Sequence, residues 1–267
     1  MLLKILYRHK LTYFFLAYLL IVFLWWIKIL LTGQTEGIEN YSFNITYGLI
    51  ALIGSVVGIF IAYKKWGGHK SVIGKGLIFL SIGLFGEWFG NAVWGYANII
   101  LHTEVPYPGF ADIGFFSIIP MYAFAMFHFA KASGIKFSLF TLSSRSQVAI
   151  IPLIMIMISW ALFLKDIPFD LSDPLKLFLD YGYPFGEAIT VSIALLTYSL
   201  SSKILGGKMR TRILFIIFAL IMQYFTDYLF LYRTGLGVYY NAGFVDMMYA
   251  VSITLMTLCL LSFNSYD

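Results

Sequence analysis

Charge is what this chain has least of. Asp, Glu, Lys and Arg make up 12% of its 267 residues, against 60% hydrophobic residues. A water-soluble domain carries about 25% charged residues, so a soluble fold is excluded and lipid is the solvent expected around most of the chain. Cysteine is nearly absent: Cys259 stands alone inside the last apolar run, which excludes an internal disulfide and argues against thiol chemistry. Histidine is also scarce. His9, His69 and His102 fall between apolar runs and only His128 falls inside one, so paired axial ligands for haem are lacking. His102 with Glu104 and Asp112 is too thin a set for a zinc hydrolase. No lysine stands mid-run to carry a retinal Schiff base, and neither Gly-x-Ser-x-Gly nor a nucleotide motif occurs. These gaps point away from an enzyme; an intramembrane hydrolase built on carboxylates would want a nucleophile that the sequence does not offer. They leave any metal or cofactor undefined.

What is present is a series of apolar runs. Eight are long enough to cross about 30 Å of hydrocarbon at 1.5 Å per residue, near 12–31, 45–63, 74–100, 112–131, 147–164, 181–201, 212–232 and 243–263. The first follows a charged start, "MLLKILYRHK", yet it is too long for a signal peptide and lacks a small-residue cleavage site, so it is expected to be a retained helix. Charge alternates between the connections. Lys4, Arg8, Lys10, Lys64, Lys65, Lys70 and Lys75 fall on one side, with Lys131, Lys136, Arg145, Lys203, Lys208, Arg210 and Arg212. Only Lys28, Lys165, Lys176 and Arg233 fall towards the other. Basic loops stay in the cytoplasm, which predicts a cell-membrane protein with both termini inside, and explains the net charge of +5 without nucleic acid. Glu36, Glu39, Glu104, Asp166, Asp170 and Asp173 are expected in outer loops and Asp267 inside.

The second half of the chain echoes the first. "FGEWFGNAVWGY" (85–96) aligns with "IMQYFTDYLFLY" (221–232) at an offset of 136, and "PGFADIGFFSI" (108–118) with "AGFVDMMYAVS" (242–252) at 134. More weakly, "NITYGLIALIG" (44–54) aligns with "DYGYPFGEAIT" (180–190) at 136. The pattern predicts an all-α, polytopic membrane domain of two four-helix repeats, 12–131 and 147–263, joined by a cytoplasmic linker at 132–146. An even number of crossings per unit makes the repeats parallel, about an axis along the membrane normal.

Six acids remain in or at the ends of the runs: Glu87, Asp112, Asp180, Glu187, Asp227 and Asp246. A carboxylate at depth costs several kcal/mol unless it is paired, hydrated or protonated, and Glu87 lies roughly 16 Å in from the inner end of its run. Lys28 and Arg233 are the only basic residues placed to neutralise any of them. Glu87 and Asn91 share a helix face that continues to Trp94; Gln223 and Asp227 form the matching stripe. Asp112 and Asp246 stand in the first turn of helices that start at the outer surface, where capping free N–H groups is the favoured role. For Glu87, Asn91, Gln223 and Asp227 two readings stand side by side, an interhelical hydrogen-bond clamp and an outward-opening polar cavity. Glycines at 54, 58, 83, 86 and 90 are expected to mark close helix packing.

The stretches "PYPGFADIGFF", "DYGYPFGEA" and "GFVDMMYA" together resemble a multi-pass sensory module found as the N-terminal membrane part of many bacterial and archaeal histidine kinases and diguanylate cyclases. Pro106, Pro108, Ala111 and Asp112 carry the first motif, with Gly109 in place of a small Ser; Tyr183, Pro184 and Glu187 carry the second. The resemblance spans about residues 40 to 263. It implies a sensor or regulatory domain in the lipid bilayer, in which Glu87, Asn91, Trp94, Asp112, Glu187, Gln223, Asp227 and Asp246 form a pocket for a small ligand or cation from the exterior. Modules of this kind feed a cytoplasmic output domain. This chain stops at "SFNSYD" after the eighth run, so the signal is expected to leave through a separate cytoplasmic partner. The alternative is a small-solute or ion transporter or channel using midplane carboxylates.

Overall fold

The computed structural model describes residue 6 and residues 9–133, 142–167, 169–201 and 207–264. Lys4, Arg8, Lys136, Lys203 and Asp267, placed above by charge, lie outside the described residues, as does most of the linker. Among the described residues the chain is helical with no strand. Its long helices are α1 (Lys10–Thr32), α2 (Ile38–Trp66), α3 (Val72–Tyr96, continued by a π-turn over Ala97–Leu101), α4 (Phe110–Ala132), α5 (Leu142–Leu162), α6 (Pro174–Ser201), α7 (Gly207–Gly235) and α8 (Phe244–Ser262). Seven are long and apolar enough to cross a membrane; α6, which carries Asp180 and Glu187, is the eighth expected crossing and falls just outside that set.

The distribution of side chains is that of a protein whose outside meets lipid. Leu31, Phe110 and Ile21 are 82%, 77% and 66% exposed on helix flanks, whereas Glu87, Asn91 and Asp246 are buried. Apolar residues face out because hydrocarbon demands no hydrogen bonds; polar ones turn inward because only the bundle interior can supply partners. Peripheral α1 and α5 have only 17% and 11% of their apolar windows buried, against 72% for α8. Each helix packs on its chain neighbours, α4 and α5 excepted, and three further pairings close the bundle: α4 on α6, α8 on α2 and α8 on α1.

Local signals set the helix ends. Gly33 and Gly67 terminate α1 and α2 in the left-handed conformation (φ +68° and +70°) that glycine adopts without strain. Ser71 caps α3, its Oγ accepting from the Gly74 N–H at 2.8 Å. Two boundaries differ from expectation. Residues 142–146, assigned to the linker, already belong to α5, because Leu, Ser and Arg tolerate a first helical turn outside the apolar run. Glu39, assigned to an outer loop, stands in the first turn of α2, where Trp25 Nε1 donates to it at 2.8 Å.

The closest crossing joins α3 to α4. A Cβ at Gly114 would sit 2.6 Å from both the Gly86 carbonyl O and the Gly90 N, and Gly76, Gly83 and Gly90 receive the rings of Phe129, Tyr122 and Phe115. Gly54 and Gly58 likewise admit Thr257 and Leu260 of α8. The glycines expected to mark close packing do so. At the end of the bundle opposite the 102–109 loop, Phe129 and Phe263 pack ring to ring at 5.7 Å, and Trp66 Nε1 donates to the Phe263 carbonyl at 2.8 Å. The Arg212 guanidinium lies 5.3 Å from the Phe263 ring and 5.8 Å from the Trp66 ring, and its Nε donates to Ser262 O. This plug locks α2, α4, α7 and α8 together.

Because the Gly114 clash is with backbone, which cannot swing aside, Gly114→Ala is expected to destabilise the protein by about 1–3 kcal/mol. Gly235→Ala, at a position with nothing within 4 Å, should change stability by less than about 0.5 kcal/mol. Thermal unfolding of the two variants in detergent checks the contrast.

Candidate functional site

Between α2, α3, α4, α6, α7 and α8 the bundle leaves a cavity of about 360 Å³. On α4 its wall runs Ala111, Asp112, Phe115, Ile118, Ile119, Tyr122, one helix face extending about 16 Å inward from the end where the 102–109 loop crosses. Val105, Pro106 and Tyr107 of that loop overhang the mouth. All eight residues singled out from the sequence line this one cavity: Glu87, Asn91, Trp94, Asp112, Glu187, Gln223, Asp227 and Asp246. Asp180 joins them, so the six helical acids share one hollow, and seven tyrosines interleave with them.

The two first-turn aspartates are built alike. Asp112 Oδ2 accepts from the Gly109 N–H at 2.8 Å, closing the N-terminus of α4, while Oδ1 accepts from the Tyr183 hydroxyl of α6 at 2.9 Å. Asp246 Oδ2 accepts from the Ala242 N–H at 2.6 Å at the start of α8, while Oδ1 accepts from the Tyr239 hydroxyl at 3.0 Å. The capping role expected for this pair is present at Asp112, which forms a capping box with Gly109, whereas Asp246 reaches back to Ala242 before the N-cap of α8; each carboxylate also holds a tyrosine at the cavity wall. Burial and the neighbouring Asp246 push the Tyr239 phenol well above its ordinary range, so it remains a donor. The Tyr107 phenol is pushed up likewise, by burial and by its hydrogen bond to Asp180, donated at 2.6 Å.

Deeper in, the groups are less well satisfied. Asn91 Nδ2 donates to the Glu87 main-chain O at 2.9 Å and reaches Glu87 Oε1 only at 3.4 Å. Asp227 Oδ1 accepts from Gln223 Nε2 at 3.2 Å and the Tyr249 hydroxyl at 2.8 Å, and Ser252 Oγ donates to Gln223 Oε1 at 2.8 Å. Glu187 faces Asp227 within hydrogen-bonding reach, but two carboxylates offer no donor to each other, and Glu187 Oε2 is buried without a partner. The interhelical clamp is present at Gln223 and Asp227, which bond to Ser252 and Tyr249 of α8, while the bonds of Asn91 to Glu87 stay within α3, and all four residues line the cavity.

The expected counter-ions are not there. Lys28 pairs with Glu39 at 2.5 Å, a short reach along α1 and α2, and Arg233 does not line the cavity. Lys176 approaches Asp180 at 3.7 Å at the rim. Among the described residues no lysine, arginine or histidine lines the wall. Sequence reading also passed over Asn241, whose Oδ1 accepts from Asn44 Nδ2 at 2.7 Å and Trp94 Nε1 at 2.9 Å while its carbonyl accepts from Asn40 Nδ2 at 2.9 Å. It ties α2 and α3 to the loop before α8. The available signal was the four-residue spacing of Asn40 and Asn44, which places two amides on one helix face. Compared with known protein families, curated proteins and solved structures, the chain matches none of them.

Since Asp246 is fully buried and holds both a backbone N–H and Tyr239, Asp246→Ala should cost about 1–3 kcal/mol by leaving those donors unpaired. Asp112→Ala, at a half-buried cap, should cost about 0.5–2 kcal/mol, and Asp112→Asn, which keeps an acceptor for Gly109, clearly less. Unfolding temperatures of the three variants rank these effects.

Proposed function

We propose that the chain is a membrane-embedded sensor or regulatory domain whose cavity takes a small ligand or cation from the outer side and passes a helix shift to a cytoplasmic partner. The observation that carries this reading is the convergence of six acids and seven tyrosines, drawn from both halves of the chain, on a single hollow. With the basic connections in the cytoplasm, both termini are inside and the mouth under residues 105–107 opens outward.

Paired contacts support the two-repeat plan. At the offset of 136, α2 corresponds to α6; at 134, α4 corresponds to α8. The pairings of α4 on α6 and α8 on α2 then become one interaction made twice. Tyr107 with Asp180 corresponds in the same way to Asn241 with Asn44. The likeness to sensory modules of kinases and cyclases is also supported where its two motifs touch, at the hydrogen bond from Tyr183 to Asp112. Signal transfer fits the plug of Trp66, Phe129, Arg212 and Phe263: it joins the cavity helices at the basic end, where a tilt of α4 or α8 would be felt and a partner could read it.

One observation favours the transporter reading instead. Pro120 and Pro184 interrupt α4 and α6 beside the cavity, and proline opens the backbone ladder at a point where a helix can bend. Against it stands the same plug, which packs Trp66, Phe129, Arg212 and Phe263 together at the end of the bundle opposite the mouth.

Glu87→Gln and Asp227→Asn test the reading. Each removes an uncompensated buried carboxylate, so each should raise the unfolding temperature at neutral pH by a few degrees and flatten its dependence on pH and on added cations. If both variants follow the parent across the titration, the cavity is not the responsive element. Flux in proteoliposomes that is lost in the same variants would select transport over sensing.

A further inference from the structure

Resting on that reading of the cavity, the geometry points to the class of its ligand: a small organic cation with an N–H-bearing ammonium head and an apolar body. The cavity wall is short of donors. Glu187 Oε2 and Asn44 Oδ1 are both buried, both belong to wall residues, and neither has a hydrogen-bond partner. A buried acceptor left unpaired costs about 1–3 kcal/mol, and an unpaired carboxylate costs more. Beside Glu187, Asp227 already accepts from Gln223 and Tyr249 through Oδ1, and the Tyr224 hydroxyl, a buried wall donor without a partner of its own, does not reach Glu187 Oε2, so that neighbourhood can take a cationic donor.

Other classes of ligand fit less well. An anion would meet six acids with, among the described residues, no basic residue in the wall. A neutral molecule would bring no positive charge to the facing Glu187 and Asp227 carboxyls. A bare metal ion needs several converging ligand atoms, and among the described residues no three His, Cys, Asp or Glu side chains converge to hold one. A space of about 360 Å³ is instead the size of a small-molecule site. Its wall is mostly apolar, with Phe115, Ile118 and Leu220 among the lining residues. An alkyl or aryl body would fill that part, while the head reaches the acids. Aromatic rings add to the preference, since their negative faces attract a cation, and Tyr249 and Tyr224 stand beside the Glu187–Asp227 pair. The head should carry hydrogens. An alkylammonium presents three donors at once, enough for two carboxylates, whereas a quaternary head presents none.

The test uses the full chain in detergent micelles with phenethylammonium and n-hexylammonium as probes. The comparators are 2-phenylethanol, N,N,N-trimethylphenethylammonium, potassium chloride and calcium chloride, read by thermal shift and calorimetry. The ammonium probes should bind saturably and raise the unfolding temperature, the alcohol should not, and the trimethylated probe should bind at least ten-fold more weakly. Glu187→Gln should weaken ammonium binding at least ten-fold. An alcohol that binds as well as its amine, or a folded Glu187→Gln with unchanged affinity, overturns the proposal; if that variant fails to fold, the amine-against-alcohol comparison on the parent still decides. Stabilisation by potassium or calcium alone, sensitive to Asp227→Asn, overturns the organic ligand while leaving the cavity reading intact. No response to any probe, with the Glu87 and Asp227 variants behaving as the parent, removes both.

Discussion

A carboxylate inside a slab of hydrocarbon must find a donor, water or a proton, and this molecule gathers six of them around one cavity where, among the described residues, the nearest basic group is Lys176 at the rim beside Asp180. That constraint organises the rest. Scattered singly on the helices, each acid would face lipid at a cost of several kcal/mol. Gathered around one hollow that reaches the surface, they share whatever hydration and donors that hollow holds. The outer pair, Asp112 and Asp246, is supplied by backbone N–H groups and tyrosines. The inner acids are supplied only in part, and the shortage is greatest at Glu187.

Keeping such a hollow open requires the remaining contacts to be tight. The approach of α3 to α4 through Gly86, Gly90 and Gly114 leaves no room for a Cβ, so their relative position is set by backbone against backbone. Cores of this density are bistable rather than continuously deformable. Along α4, Asp112 at the cavity and Phe129, which contacts Phe263 at the far end, lie on either side of Pro120, so the glycine contact to α3 fixes the helix on one flank of a point where it can bend.

Much of this was legible in the sequence, for reasons that also explain what was not. Apolar run length marks helices in a membrane protein because unsatisfied backbone is excluded there, so every one of the eight runs became a helix. Their ends were less legible: α2 begins at Ile38 and not near 45, since Asn40 and Asn44 look like loop residues until Asn241 supplies their partner across the bundle. Glu87, Asn91, Gln223 and Asp227 could be found because spacing of four fixes a shared helix face. Tyr107 and Asn241 could not, since their roles depend on where two loops fold over the cavity. The counter-ion expectation failed for a related reason. Lys28 sits at the right height but on α1, at the periphery, where Glu39 meets it.

If the two halves are repeats, their differences say more about function than their likeness. Glu187 corresponds at the offset of 136 to Ala51, and Asp227 to Asn91. A symmetric scaffold would offer two equivalent half-sites, one per repeat. Here the first half has a methyl group in place of one acid and an amide in place of the other, whose Nδ2 is occupied by Glu87 of its own helix, a residue that corresponds at the same offset to Gln223. The second half keeps both carboxylates facing each other with no donor between them. The unmet demand for positive charge is accordingly off the axis, on the α6–α7 side. One ligand settling there would pull on α6 and α7 without an equal pull on α2 and α3.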